Sequence, residues 1–241
     1  MELPFFYTSQ YDTGHREIVL NEETSRHVVQ VLRMTKGEQL NLTNGKGNLL
    51  TCEIAEESKK HCVVRVLKIE NRKPKIKNIS IAISLLKNSN RFEWFLEKAT
   101  EVGVSEIIPL LCERTEKEKF RYDRMNAICI SAMLQSQQCW LPLLHEPTPF
   151  GNLAMRPFDN TTKFIAHCED SDKNPLHNWQ IDDRGSYRES NCLIAIGPEG
   201  DFTNEEIKLA LQNNFVPVSL GETRLRTETA GMVAAVLLCQ V

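Results

Sequence analysis

Along residues 1–70 apolar and polar positions alternate in short runs, the period of half-buried strands. Glu17–Leu20, Glu38–Thr43, Asn48–Ile54 and His61–Ile69 are the predicted strands. Asn44-Gly45-Lys46-Gly47 is a hairpin turn, because Asn-Gly tolerates positive φ. One helix is predicted within Ser25–Met34, with Val28, Val31 and Leu32 on one face, Thr24 or Ser25 as its cap and Gly37 beyond its end. Short strands with a single helix predict a small β-barrel-like domain over residues 1–72.

Near Lys73-Pro74 the period changes. Ser80–Leu86 reads as a buried strand and Lys87–Asn90 as a polar loop. Arg91–Val102 places Phe92, Phe95, Leu96, Ala99 and Val102 on one helical face, and Gly103 stops it. Glu106–Leu111 is the next strand, so the unit is β-α-β and its sheet parallel. A helix from about Asp123 to Cys139, a strand over Lys163–Cys168 and a polar, exposed and weakly structured stretch over Asp170–Ser190 follow. The tail repeats the pattern: strand Cys192–Ile196, a capping box Thr203-x-x-Glu206 opening a helix, strand Phe215–Leu220, and a last helix from Thr227 through Leu238. That helix is apolar almost all round, which predicts burial, partly against another subunit. Residues 73–241 thus read as a second, α/β domain.

Composition narrows the class. The chain has 241 residues, 41% hydrophobic and 25% charged, the proportions of a soluble globular protein. No apolar run is long enough to span a bilayer and residues 1–20 lack a signal-peptide pattern, so a cytoplasmic protein is expected. The net charge is −3, and neither predicted domain carries a basic excess, which argues against wholesale nucleic-acid binding and against DNA as a partner. One local run, Lys68, Arg72, Lys73, Lys75 and Lys77, reads either as a solvated linker or as a phosphate-contacting edge. The eight cysteines form no C-x-x-C pair and no zinc-finger spacing, so no metal is expected and the thiols read as buried and reduced.

Two glycine-bearing loops carry the chemistry. Leu193–Ile196 runs into Gly197-Pro198-Glu199-Gly200-Asp201-Phe202, and later comes Leu220-Gly221-Glu222-Thr223-Arg224-Leu225-Arg226-Thr227-Glu228-Thr229-Ala230. Each loop leaves a buried strand and opens a helix, the place where α/β domains put small-molecule pockets. Neither matches G-x-G-x-x-G or a P-loop. In the second loop, backbone N–H groups at the helix start suit a carboxylate or a purine edge, and Arg226 sits where a cation could face a developing anion. The same residues also read as surface charges, with Glu228 complementing the helix dipole.

Taken together, Gly-Pro-Glu-Gly after a strand and Leu-Gly-x-x-x-Leu-Arg-Thr-Glu-Thr-Ala closely resemble the 16S ribosomal RNA uridine-N3 methyltransferase family, the RsmE type of the SPOUT superfamily. Upstream, Glu97 to Val104, Ile108-Pro109-Leu110, Glu113-Arg114, Gln135-Ser136 and Leu141-Pro142 fit the same family, as do His27 and Val31-Leu32-Arg33 before Gly37. The chain departs from the pattern at Asp201, where the family usually has a second glycine, and at Leu134 and Gln138 beside Gln-Ser. An arginine usual near the family's start is absent from Met1–Tyr7.

The resemblance implies a C-terminal SPOUT methyltransferase domain threaded into a trefoil knot, a PUA-like N-terminal RNA-binding domain, and a homodimer. S-adenosylmethionine would be held by Ala166, His167, Gly197, Pro198, Glu199, Gly200, Leu220, Gly221, Leu225, Arg226 and Thr227. Arg226 and Glu228 are the implied catalytic residues, and Arg33, Lys98 and Arg114 the implied RNA contacts. The partner would be 16S rRNA in the small ribosomal subunit. His167 would meet the donor through its backbone. Phe92 and Phe95 read as core, leaving Trp94 as the one surface ring of that helix. Competing readings are a SPOUT enzyme acting on ribose 2′-O or on tRNA, an RNA-binding module without activity, and a nucleotide-binding oxidoreductase, which the missing glycine fingerprint disfavours.

Overall fold

Leu40, Leu42, Leu50, Ile54 and Val64 point to one side of three antiparallel strands and are fully shielded from solvent. The computed structural model describes residues 3–11, 16–73, 77–116, 119–170, 172–180 and 190–239. The chain divides into two units, Met1–Pro74 with Met133–Leu141, and Lys75–Ala132 with Pro142–Val241.

In the first unit, β1 (Phe5–Tyr7), β2 (Glu17–Val19), β3 (Gln39–Thr43), β4 (Asn48–Glu56) and β5 (Val63–Asn71) form a five-stranded sheet in the order β1-β3-β4-β5-β2. All pairings are antiparallel except β1 with β3. The helix starts earlier than the pattern predicts. It begins as α1 (Glu22–Arg26) and widens into a π-type turn over His27–Val31. Asn21 is the cap, its side chain accepting the Thr24 N–H at 2.8 Å. Ser25, an expected cap, is instead buried inside the helix. Its hydroxyl donates to the Leu20 carbonyl and accepts the Cys62 N–H, tying the helix to the start of β5. Strand β1 has no sequence signal, being three residues without a period.

The turn before β4 explains why Met133–Leu141 belongs to this unit. Lys46 makes an antiparallel bridge with Trp140, and Gly47 donates to the Cys139 carbonyl at 2.8 Å. A β-carbon on Gly47 would lie 2.3 Å from the Trp140 ring, so only glycine fits. The expected helix to Cys139 therefore stops as α3 (Tyr122–Gln135), and the chain reverses at Gln137, φ +56.

The second unit is a parallel sheet with helices. Its strands are β6 (Ile79–Ser84), β7 (Glu106–Leu111), β8 (Leu143–Leu144), β9 (Thr148–Pro149), β10 (Thr161–Ala166), β11 (Asn174–Pro175), β12 (Asn191–Ile196) and β13 (Phe215–Ser219). They run in the order β11-β13-β10-β12-β6-β7-β8, with β9 also on β7, and every pairing is parallel. Every residue of β6 is buried, as expected for a central strand covered on both faces. The helices are α2 (Ser89–Val102), α3, α4 (Phe150–Met155), α5 (Asn204–Gln212) and α6 (Thr227–Cys239). Gly103 ends α2 in the left-handed conformation, φ +91. Thr203 and Glu206 form the predicted capping box of α5. One core joins Ile108, Leu110, Phe150, Leu153, Ile165, Leu193, Phe202 and Phe215.

The described part of Asp170–Ser190 is not merely exposed polar chain. Leu176 is fully buried and Trp179 packs edge-on against Phe164 with ring centres 5.4 Å apart. Residue 171 and residues 181–189 of that stretch, and Lys75 of the basic run, lie outside the described residues.

Candidate donor cleft

Strands β10, β12 and β13 end level. Ala166, the last residue of β10, pairs with Ile196 of β12 on one side and with Val218 of β13 on the other. Because the three strands are parallel, the segments that follow them leave from one edge of the sheet. Two adjoining hollows of about 440 and 320 Å³ lie there. Both volumes fall in the size range of small-molecule sites, roughly 300–1,000 Å³.

The larger hollow is lined by Ala166, His167, Lys173, Leu220, Gly221 and Leu225, among others. The smaller takes Gly197, Pro198, Glu199, Asp201, Arg226 and Thr227. Ala166, Cys168, Arg224, Leu225 and Ala230 border both. Every residue implied by the resemblance to hold the donor thus borders a hollow except Gly200, which forms the turn behind it. Lys173 and Cys168 are additions that sequence patterns did not single out, and Arg224, which read as a surface charge of the second loop, lines both hollows. Lys173 falls in the polar stretch after β10, and Cys168 looks like a strand end.

The loop after β12 is fixed from several sides. Asp201 donates from its backbone to Pro198 O at 2.9 Å, closing a turn. The Glu199 carboxylate accepts the Lys87 N–H at 3.2 Å, from the chain just past β6. Glu206 Oε1 accepts the Glu113 N–H at 2.9 Å, and the Arg114 guanidinium donates to Gly200 O. In the loop after β10, Lys173 Nζ donates to His167 O at 2.9 Å and to Glu169 O at 2.5 Å. The Cys168 N–H donates to Asp201.

His167 is 9% exposed, and neither ring nitrogen has a hydrogen-bond partner among the described residues. Burial, and then the Lys173 charge, hold its pKa below the ordinary histidine value, so the ring is neutral at pH 7. Cys168 is exposed, but partial desolvation by its surroundings, and then the Asp201 charge, raise its thiol pKa above the ordinary value.

The two implied catalytic residues part company. Arg226 is exposed and lines the smaller hollow. Glu228 lines neither; it is buried, with Oε1 3.6 Å from Arg91 Nε on α2. Of the implied RNA contacts, Arg33 is exposed in a left-handed conformation, φ +56. Lys98 is paired with Glu97 at 2.7 Å and Glu101 at 2.9 Å, and Arg114 is engaged with the loop after β12. His27 is exposed and meets Phe6 edge-on. Phe92 and Phe95 are core and Trp94 is exposed, as the helical spacing predicts. Among the described residues, no group of three or more His, Cys, Asp or Glu could hold a metal ion, and no helix is long and apolar enough to cross a membrane.

The chain matches two family models, an RNA methyltransferase domain over residues 72–239 and an RNA methyltransferase PUA domain over residues 20–67. It is 30% identical over 220 residues to ribosomal RNA small subunit methyltransferase E of Bacillus subtilis, covering 88% of this chain and 85% of that protein. A probable rRNA-methyltransferase from Porphyromonas gingivalis superposes with a TM-score of 0.86 at 36% identity, covering 97% of this chain and 95% of that one. Ribosomal RNA small subunit methyltransferase E from Neisseria gonorrhoeae, solved bound to S-adenosyl methionine, superposes with a TM-score of 0.82 at 26% identity, with 97% and 95% covered. A Legionella pneumophila methyltransferase solved with the same cofactor gives 0.81 at 30% identity, with 98% and 97% covered. A parallel sheet whose strands end around a glycine-lined cleft, in a chain that also carries a PUA domain, places the sequence: it belongs to the RNA methyltransferase family that includes ribosomal RNA small subunit methyltransferase E.

Proposed function

We propose that this chain transfers the methyl group of S-adenosylmethionine to N3 of a uridine in 16S rRNA, on an assembled or nearly assembled small subunit. The observation that carries the reading is the level ending of β10, β12 and β13 around two joined hollows lined by Gly197–Glu199 and Leu220–Thr227. Their size and their backbone-rich lining fit a nucleoside-bearing donor.

The donor supplies an electrophilic methyl group, so no protein nucleophile is needed. Uridine N3 takes part in base pairing, and the target must therefore be unpaired or flipped to reach the cleft. Loss of the N3 proton puts negative charge on the uracil oxygens, and Arg226, at the rim of the smaller hollow, stabilises that charge. Glu228 faces Arg91 and Glu199 is held by the Lys87 N–H, so both motif carboxylates have structural employment. Water takes the proton in this reading, and Glu228 anchors the start of α6 on α2.

The PUA domain grips the RNA, with Arg33 the freest of the three cations implied for that task. The half-buried Met232, Val233, Val236 and Leu237 of α6 favour a homodimer built on this helix, which light scattering would register as a doubled mass. Acting on ribosomal subunits, the enzyme works in the cytoplasm.

The test is methyl transfer from labelled S-adenosylmethionine to small subunits, naked rRNA and tRNA, followed by nucleoside analysis. Label in 3-methyluridine from subunits is the expected outcome. Label in a 2′-O-methyl nucleoside, or in tRNA alone, would replace this reading with another SPOUT activity.

A further inference from the structure

Asp201 adopts φ +65, in the left-handed region that a β-carbon disfavours. A glycine would make the same turn without that penalty. The carboxylate must therefore be explained by what it touches. Oδ1 accepts the N–H of its neighbour Phe202 at 2.9 Å, which fixes the side-chain orientation. Oδ2 accepts the N–H of Cys168 at 2.7 Å, 33 positions earlier in the chain. The first bond is local; the second crosses from the loop after β12 to the loop after β10. A carboxylate oxygen this close to an amide belongs to the short, strong class of hydrogen bonds. Cys168 borders both hollows and His167 precedes it, so this bond sets the spacing of two walls of the cleft.

We propose that Asp201 is a positioning residue, a latch that holds the β10 and β12 loops in the geometry that receives the donor. The role in donor binding rests on the methyltransferase reading; the latch itself does not. Asp201 acts through the Cys168 amide and takes no part in methyl transfer.

Asp201→Gly and Asp201→Asn test this. Glycine suits the turn, so the first variant keeps the backbone and removes the latch together with the local bond to Phe202. Asparagine keeps one side-chain oxygen for Cys168 but loses the charge. In ligand-free protein followed by NMR, the Cys168 amide should exchange about tenfold faster in Asp201→Gly and less than threefold faster in Asp201→Asn. Calorimetric titration with S-adenosylmethionine should give a dissociation constant about tenfold weaker for glycine and only two- to threefold weaker for asparagine, with KM for the donor rising more than kcat falls. Unchanged Cys168 exchange in Asp201→Gly would overturn the latch. So would equal loss of affinity in both variants, since that pattern reports charge and not loop spacing. If the unaltered protein fails to bind S-adenosylmethionine, the methyltransferase reading falls, while the exchange measurement still decides the latch.

Discussion

Arg114, in the turn after β7, donates from Nη1 to the carbonyl oxygen of Gly200 at 2.6 Å. A β-carbon on Gly200 would come within 3.3 Å of the same side chain, so the arginine lies directly along the loop backbone. A cation that the resemblance implies as an RNA contact is thus also hydrogen-bonded to the loop after β12. Arg114→Ala should weaken donor affinity by roughly fivefold, about 1 kcal/mol, a modest figure because the bond is exposed to solvent. Calorimetry with S-adenosylmethionine reads it. An unaltered donor affinity combined with weaker RNA binding would return Arg114 to its first assignment.

Arg226→Ala should separate chemistry from binding. A cation aimed at developing charge contributes to turnover, and losing such a group costs on the order of 100-fold in kcat. Donor affinity should change by less than about threefold. Equal losses in both quantities would make Arg226 a donor-binding residue instead.

The buried His167 makes stability depend on pH. Its folded pKa lies below the unfolded value of 6.5 through burial and the Lys173 charge. Above about 6.5 both states are neutral and the residue adds no pH dependence. As pH falls below that value the unfolded chain binds the proton first, so stability drops until the folded pKa is reached. Urea midpoints measured at pH 7.5 and 5.5 should differ less in His167→Asn than in the parent. An identical pH dependence would mean the ring is not shielded.

Packing of the last helix is tight at one point. A β-carbon on Gly231 of α6 would stand 2.8 Å from Ile83 Cδ1 and 2.8 Å from Phe95 Cε2. Gly231→Val should therefore destabilise the fold by about 2–3 kcal/mol, although glycine in mid-helix is itself unfavourable. A lower urea midpoint with an unchanged slope is the expected result.

Thiol reactivity should follow exposure. Cys52 and Cys112 are buried with pKa values pushed up to about 12, and Cys129 to about 11. Cys168 is exposed and borders the cleft. An aromatic disulfide reagent should label Cys168 first, S-adenosylmethionine should slow that labelling, and Cys52, Cys112 and Cys129 should react only on unfolding. Early labelling of Cys112 would contradict the buried core around it.

The central strands were legible because burial on both faces favours apolar residues, an unbroken run in Cys192–Ile196 and isoleucines and an alanine broken only by small serines in Ile79–Ser84. The paired glycine loops were legible because backbone that must turn sharply beside a ligand restricts residue choice. Three features escaped. Asn21 caps α1 because its side chain reaches the Thr24 amide, and that choice over Thr24 or Ser25 depends on where Ser25 is buried. The reversal at Gln137 depends on Trp140 meeting Gly47, a contact across many residues that no local period encodes. The Arg91–Glu228 pair joins two helices far apart in the chain, and neither residue's neighbours announce it.

Both hollows take one wall from Arg224, Leu225 and Ala230, which translation delivers after the other two walls. A nascent chain that has emerged through Phe202 carries the residues of the loops after β10 and β12, Cys168 and Asp201 among them, and still lacks the third wall of either hollow. A chain released before residue 224 would carry Gly197–Gly200 and lack the Arg224, Leu225 and Ala230 wall that both hollows share. Both hollows are complete only once the chain has been made through Ala230.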